Sequence, residues 1–275
     1  MHTRAPEGAS KIDLEDPTTF ATDNWPNRGK FLTDALALTY ESMVNRTHPN
    51  LVITFSKIFG LEEKDLIVNV DAWGVMRPSI GHPEYRYNLS PHFDINPWNY
   101  LEDLEKSESN NTGYHMYQGV LHLNGDIGAG GFCVVPKCCG KNFKQWIEHI
   151  GEKRNDRNSY HPSENDPIYK CLQKVRLRPG CIVIWDSSGC HANYPNSSHS
   201  MRIVQYIKMM PKSTLQINAN REKKIPIHYF EQNWNDPTLR NTISRLDQRQ
   251  LDLIGLPNGL DTKFKNTLKK CIKKK

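Results

Sequence analysis

The residues best suited to chemistry in this 275-residue chain are His92 and Asp94, in the stretch Ser90-Pro91-His92-Phe93-Asp94-Ile95-Asn96-Pro97-Trp98. In an extended segment, side chains two apart leave the backbone on the same face, with Cα atoms ~6.6 Å apart. One imidazole nitrogen of His92 and one carboxylate oxygen of Asp94 can then hold a common ion, while Phe93 packs the other way. Two His and one carboxylate on one side of a metal, leaving other positions open, is the arrangement of non-haem Fe(II) oxygenases. The second His must come from elsewhere, and the chain has 11. His191 follows the β-rich run Cys181-Ile182-Val183-Ile184-Trp185-Asp186 and a turn at Gly189, which suits closing a site at the mouth of a sheet. His115, His122 and His199 compete for the role. His122 lies in an alternating strand, packed or exposed, and His199 stands only three residues before Arg202, too close for strand-to-strand geometry. Arg202, eleven residues after His191, opens the strand Arg202-Ile203-Val204-Gln205-Tyr206-Ile207, and its planar guanidinium suits bidentate capture of a carboxylate.

The order His-x-Asp, about a hundred residues, His, then Arg resembles the Fe(II)- and 2-oxoglutarate-dependent dioxygenases, and within them the phytanoyl-CoA dioxygenase (PhyH-like) family. The similarity extends over roughly residues 65 to 211: His92-Phe93-Asp94-Ile95-Asn96-Pro97, Tyr117-Gln118-Gly119-Val120-Leu121, Gly130-Gly131-Phe132-Cys133-Val134-Val135-Pro136, and Ile184-Trp185-Asp186-Ser187 through His191 to Arg202–Met209. The resemblance implies that His92, Asp94 and His191 hold Fe(II). It implies that 2-oxoglutarate chelates the iron and pairs its distal carboxylate with Arg202, and that O2 takes the last position. Succinate, CO2 and a hydroxylated small-molecule or acyl product would result. Asp94 fits hydroxylation better than halogenation, because related halogenases replace this carboxylate with a small residue. Gln118 and Asn193 are further candidates for cosubstrate contact, against the plainer reading of amides paired with backbone. Trp185 and Tyr206 read as core and Cys190 as a packed thiol. Two positions depart from the family pattern: Lys137-Cys138-Cys139 after the V-V-P strand, and Ser188 after W-D-S. Neither ligates metal, but both bear on substrate preference. A binding module without turnover, and an oxygenase acting on protein or nucleic acid, are the alternatives.

The elements that must position these residues are short strands separated by turns, with helices mostly outside the run. This texture predicts a mainly β fold with flanking helices, and the resemblance implies a double-stranded β-helix (jelly-roll, cupin-like) core. An irregular arm is expected over 1–28, the oxygenase domain with N-terminal helices over 29–219, and a helical extension with a Lys-rich tail over 220–275. The first helix is expected from Lys30 to about Val44, and the second from Leu51 to Phe59, ended by Gly60. Residues 103–112 read as a loop, and 151–168 as a long polar excursion.

Bulk properties narrow the function classes. The net charge is +6 (36 basic, 30 acidic), but seven lysines lie at or beyond Lys263, so the remainder is close to neutral and lacks a phosphate-tracking surface. Nucleic acid is therefore a poor partner for the body, and the tail is the only hint of one. No apolar run approaches the ~20 residues of a membrane helix, and Met1–Asp16 does not read as a secretory signal. Seven irregularly spaced cysteines without C-x-x-C suggest free thiols in a reducing, intracellular (cytoplasmic) setting. Oligomeric state has no signature in the chain.

Overall fold

The structure is a computed structural model that describes residues 13, 15–21, 23–25, 32–33, 37–109, 116–150, 159–216 and 236–256. The arm before residue 13, residues 110–115 (His115 and the end of the expected loop), 151–158 of the expected excursion, 217–235 and the Lys-rich tail lie outside the described residues. The chain forms two compact units, one of residues 1–35 and 72–206 and one of residues 36–71 and 207–275.

The first unit holds the strands of the β core. These are β1 (Leu32–Thr33), β3 (Trp73–Met76), β4 (Leu89–His92), β5 (Tyr117–Asn124), β6 (Gly131–Val134), β7 (Gln173–Lys174), β8 (Ile182–Asp186), β9 (His191–Tyr194) and the first half of β10 (Arg202–Pro211). One sheet runs β1-β3-β10-β5-β8 and the other β4-β9-β6-β7. Val120 of β5, Trp185 of β8, Val204 of β10 and Phe132 of β6 share one core cluster, so residues of both sheets meet in a common interior. Each such side chain contributes roughly 1.5–3 kcal/mol on burial. This is the expected mainly β, double-stranded β-helix architecture with flanking helices. Pro91 is tolerated in β4 because that strand is an edge, and the register shifts between Leu89 and His92 as at a bulge.

A second core holds Phe93, Tyr100, Leu104, Phe143, Ile147 and Tyr160, where helices α3 (Pro97–Ser109) and α4 (Gly140–Ile150) pack. Helix α4 turns Phe143 and Ile147 into this core. Helix α3 overturns the loop expected over 103–112, at least to Ser109. The helix starts where local rules allow it. The Asn96 side chain accepts from Asn99 N at 3.1 Å, and Pro97 occupies the first helical position. Tyr100 and Leu104, one turn apart, are buried. The polar residues that suggested a loop lie beyond this anchor.

The second unit contains α1 (Tyr40–Arg46), α2 (Pro49–Phe59), β2 (Leu66–Asn69), α5 (Pro237–Arg245) and α6 (Gln248–Leu253), with β2 pairing antiparallel to Lys208–Pro211 of β10. Helix α2 ends as expected, with Gly60 in the left-handed region at φ 65°. The first helix does not begin near Lys30: Leu32–Thr33 is a strand paired with β3, and the helix starts at Tyr40 behind a Thr39 cap. Across α5, α6 and the turns that follow each, Ile243, Leu246, Leu253 and Ile254 are buried.

Candidate metal centre

Strands β4 and β9 pair antiparallel with His92 directly opposite His191, so the two imidazoles lie on one face of the sheet, ring centroids 4.4 Å apart. Asp94, two residues beyond His92, reaches the same point. His92 Nε2 is 3.5 Å from Asp94 Oδ1, and His191 Nε2 is 3.6 Å from Asp94 Oδ2. Among the described residues these three groups form the cluster whose ligand atoms all lie within 4.8 Å of one another.

The hydrogen bonds of the two rings suit a ligand set that could hold a metal ion. His92 Nδ1 lies 2.8 Å from the Ser90 carbonyl oxygen, and His191 Nδ1 lies 3.0 Å from the Gly189 carbonyl oxygen. A carbonyl only accepts, so in each neutral ring the proton sits on Nδ1 and the lone pair on Nε2. Two such lone pairs and a carboxylate then face one another with no proton between them. A bound cation relieves that repulsion, and backbone acceptors on the far nitrogens are how metal-binding histidines are usually oriented. His92 and His191 are buried, whereas the Asp94 side chain is 38% exposed, which leaves one side of the cluster open.

The turn before His191 is built for its task. Asp186 Oδ1 accepts from Ser188 N at 2.8 Å and from Ser188 Oγ at 2.5 Å, while Gly189 N donates to Asp186 O at 2.7 Å. This closed turn presents the Gly189 carbonyl to His191 Nδ1. Trp185 and Phe132 pack on the His191 ring, at 5.0 and 5.8 Å between centroids. Cys190 is fully buried, as expected of a packed thiol, and burial pushes its thiol well above the usual range.

Arg202 is 3% exposed and opens β10 on the same face as Val204 and Tyr206, whose hydroxyl Asn193 Nδ2 approaches at 3.4 Å. Asn193 shares the face of His191, two residues on, so a polar path joins the guanidinium side of the interior to the triad side. Gly131, at φ 124°, makes room for the arginine: a Cβ there would sit 2.3 Å from the guanidinium carbon. A Cβ on Gly130 would likewise meet the Asn196 backbone at 2.5 Å. Asn196 in turn donates to the carbonyls of Met76, Arg77 and Ser200, which holds the loop leading to Arg202. Arg202 Nη1 points at Met76 Sδ, 3.5 Å away, and no Asp or Glu lies at ion-pair distance among the described residues.

Of the competing histidines, His122 is buried with both ring nitrogens against the carbonyls of Leu177 and Asn124, and His199 is exposed. Gln118 is 3% exposed, opposite Trp185 in register. Sequence reasoning missed the Asp186–Ser188 turn, although Asp-x-Ser-Gly is turn chemistry. It also missed His161, whose ring stacks on His92 at 5.5 Å.

No family model matches the chain. A curated Dictyostelium discoideum protein named "Putative phytanoyl-CoA dioxygenase" is 29% identical over 217 residues, covering 70% of this chain and 60% of its own length. "Ava biosynthesis cluster protein O" of Aspergillus versicolor is 24% identical over 244 residues, 82% of this chain and 73% of the relative. The chain thus spans 60% of the length of the first of these relatives. Among solved structures, GlcNAc Inducible Gene 2 (GIG2) from Candida albicans superposes with a TM-score of 0.55 at 14% identity, over 96% of this chain and 78% of that one. That match supports the fold. The sequence similarity to the protein of that name lies in the direction that the motif order indicated.

Proposed function

We propose that this chain is an Fe(II)- and 2-oxoglutarate-dependent dioxygenase that hydroxylates a small-molecule or acyl substrate. The observation that carries the reading is the pairing of an open His-Asp-His cluster, its lone pairs turned inward, with a buried guanidinium that has no acidic partner among the described residues. His92, Asp94 and His191 would hold the metal, and Arg202 the distal carboxylate of the cosubstrate. When bound, Fe(II) and 2-oxoglutarate supply O2 activation coupled to oxidative decarboxylation, with succinate and CO2 released and one oxygen placed on a C–H carbon.

The chain's own part is positioning. Ser90 and Gly189 carbonyls fix the two imidazoles in the metal-binding tautomer. The Phe132 and Trp185 rings wall off the His191 side from water. Burial disfavours the charged form of Arg202, so a carboxylate that neutralises it there gains more than it would in water. Gln118 and Asn193 are the further side chains proposed to touch cosubstrate. The relatives' names, one an acyl-CoA dioxygenase and the other a biosynthesis-cluster protein, agree with an acyl or small-molecule substrate.

The test is succinate release from 2-oxoglutarate by the purified chain in the presence of metabolite extract, followed by mass spectrometry for a product heavier by one oxygen. Release should require Fe(II) and fall at least about a hundredfold in Asp94→Ala and His191→Ala. Equal release by these variants would refute the assignment.

A further inference from the structure

Trp185 of β8 belongs to the core shared by the two sheets, and most of its ring packs there. Its centroid lies 4.4 Å from that of Phe132 and 5.0 Å from that of His191. Its polar atom is another matter. Among the described residues three buried side-chain atoms make no hydrogen bond: Arg46 Nε, Asn69 Oδ1 and Trp185 Nε1. The first two lie in the second unit, and Trp185 lies in the unit that carries the triad. An indole N–H can only donate, and leaving it unpaired away from water costs free energy. Buried tryptophans usually find an acceptor for it.

The surroundings indicate which acceptor is missing. Cδ1, the atom bonded to Nε1, lies 3.4 Å from the point where a Cβ on Gly189 would stand. The polar edge of the indole therefore lies along the turn that leads into His191. Gln118 of β5 is directly opposite Trp185 in register, so both side chains leave the sheet on one face, the face of buried Val120. Gln118 is 3% exposed, and its amide makes no hydrogen bond to a described residue. Two polar side chains thus stand next to one another in an apolar interior, neither paired with a described residue. The Arg202 guanidinium adds further donors to the same interior. Such an interior is short of acceptors, and a guest that carries only acceptors would supply them. 2-Oxoglutarate at neutral pH, with two carboxylates and a keto oxygen, is such a guest. Arg202 lies against Gly131, which pairs with Tyr194 further along β9, whereas Trp185 packs on His191 itself. The guanidinium suits the far end of the guest and the indole its metal end.

We propose that Trp185 is a cosubstrate-binding residue, whose indole N–H donates to the metal-side carboxylate of 2-oxoglutarate next to the Gln118 amide. In naming that guest the inference rests on the proposed function. The Gln118 side chain turns to the same guest without breaking a bond to a described residue. Trp185 then has two roles, a ring that packs against His191 and a donor kept for the guest.

Nuclear magnetic resonance of the full chain loaded with Zn(II) tests it without turnover. The indole N–H signal of Trp185 is assigned by its absence in Trp185→Phe or, were that variant unfolded, by through-bond assignment. It should move downfield when 2-oxoglutarate is added, and also with oxalate, which reproduces only the chelating end. Trp185→Phe keeps a ring against His191 and removes the donor. It should bind 2-oxoglutarate roughly tenfold more weakly in calorimetry, with an unchanged or raised melting temperature, because the group removed had no partner. A spectroscopic titration with Co(II), read in its visible bands, should give the native metal affinity. An indole signal unmoved by 2-oxoglutarate, or native cosubstrate affinity in Trp185→Phe, would leave Trp185 as packing and overturn the proposal. A shift with 2-oxoglutarate but none with oxalate would overturn the metal-side assignment. Binding that Arg202→Met loses and Trp185→Phe keeps would sink this inference alone, whereas a native chain that binds no 2-oxoglutarate would sink the proposed function with it.

Discussion

Arg46 in the second unit and Arg202 in the first are both buried, at 0% and 3% exposure, yet they are solvated in opposite ways. Arg46 donates to the Ala37 carbonyl at 2.5 Å, to Ser42 Oγ at 2.8 Å and to the Asp71 carbonyl, binding the start of α1 to the segment after β2. Burial pulls its pKa down to about 10, opposed by the nearby Asp71 carboxylate. Arg202 meets a methionine sulfur, Gly125 and Gly131, which leave it room, and the tyrosines 194 and 206. A guanidinium whose two terminal nitrogens are spent on main-chain and hydroxyl oxygens is a fastener. One kept among sulfur, glycine and phenol is held ready for an anion from outside. Burial alone does not distinguish the two, and the acceptors do.

The sharpest way to break that comparison is to replace each arginine by methionine. Arg202→Met should weaken 2-oxoglutarate binding to the Ni(II)-loaded protein by about 3 kcal/mol, on the order of a hundredfold in calorimetry, with the melting temperature unchanged or raised. Arg46→Met should do the reverse. Leaving buried carbonyls unsatisfied costs ~1–3 kcal/mol each, so its melting temperature should drop by several degrees while cosubstrate affinity holds. Equal destabilisation by both would make Arg202 a fastener too.

A narrower probe is Gly131→Ala, which pushes a methyl group into the guanidinium. It should lower cosubstrate affinity roughly tenfold or more, by displacing Arg202 rather than deleting it. Metal affinity should stay at its native value, since Gly131 lies opposite Tyr194 and not His191 in register. Smaller still, Ser188→Ala slackens the turn that presents Gly189 to His191 and should weaken Co(II) binding by about tenfold or less, read in the same spectroscopic titration.

The mildest contrast is among the thiols. Cys139 and Cys171 are exposed, while Cys133, Cys138 and Cys190 are buried, and burial pushes Cys133 and Cys138 up to about 11. Timed alkylation at pH 8 with mass spectrometry should therefore label Cys139 and Cys171 first and Cys190 among the last. Early labelling of Cys190 would mean that the wall behind His191 opens readily.

Local pattern carried most of the strands and the His92/Asp94 pair. His92 and Asp94 were legible because period-two geometry puts them on one face whatever the surrounding fold. The helix at 97–109 was obscured by its polar second half, although its cap at Asn96-Pro97 was present in the sequence. Leu32–Thr33 joined a strand because its partner, Trp73–Gly74, lies forty residues away, and no local propensity reports that. His161 and the Asp186 turn went unseen for related reasons. One acts across a bridge between distant segments, and the other through backbone carbonyls that every residue possesses.

By itself, then, the order of side chains determined which groups are available for chemistry, the periodicities of the elements and a resemblance to known oxygenases. The tertiary structure decided which histidine faces His92, which nitrogen of each ring carries the proton, and that Arg202 is buried with no acidic partner near it among the described residues. Those are matters of register and of what surrounds a group in space. They depend on contacts between segments a hundred residues apart, which local sequence preferences do not encode.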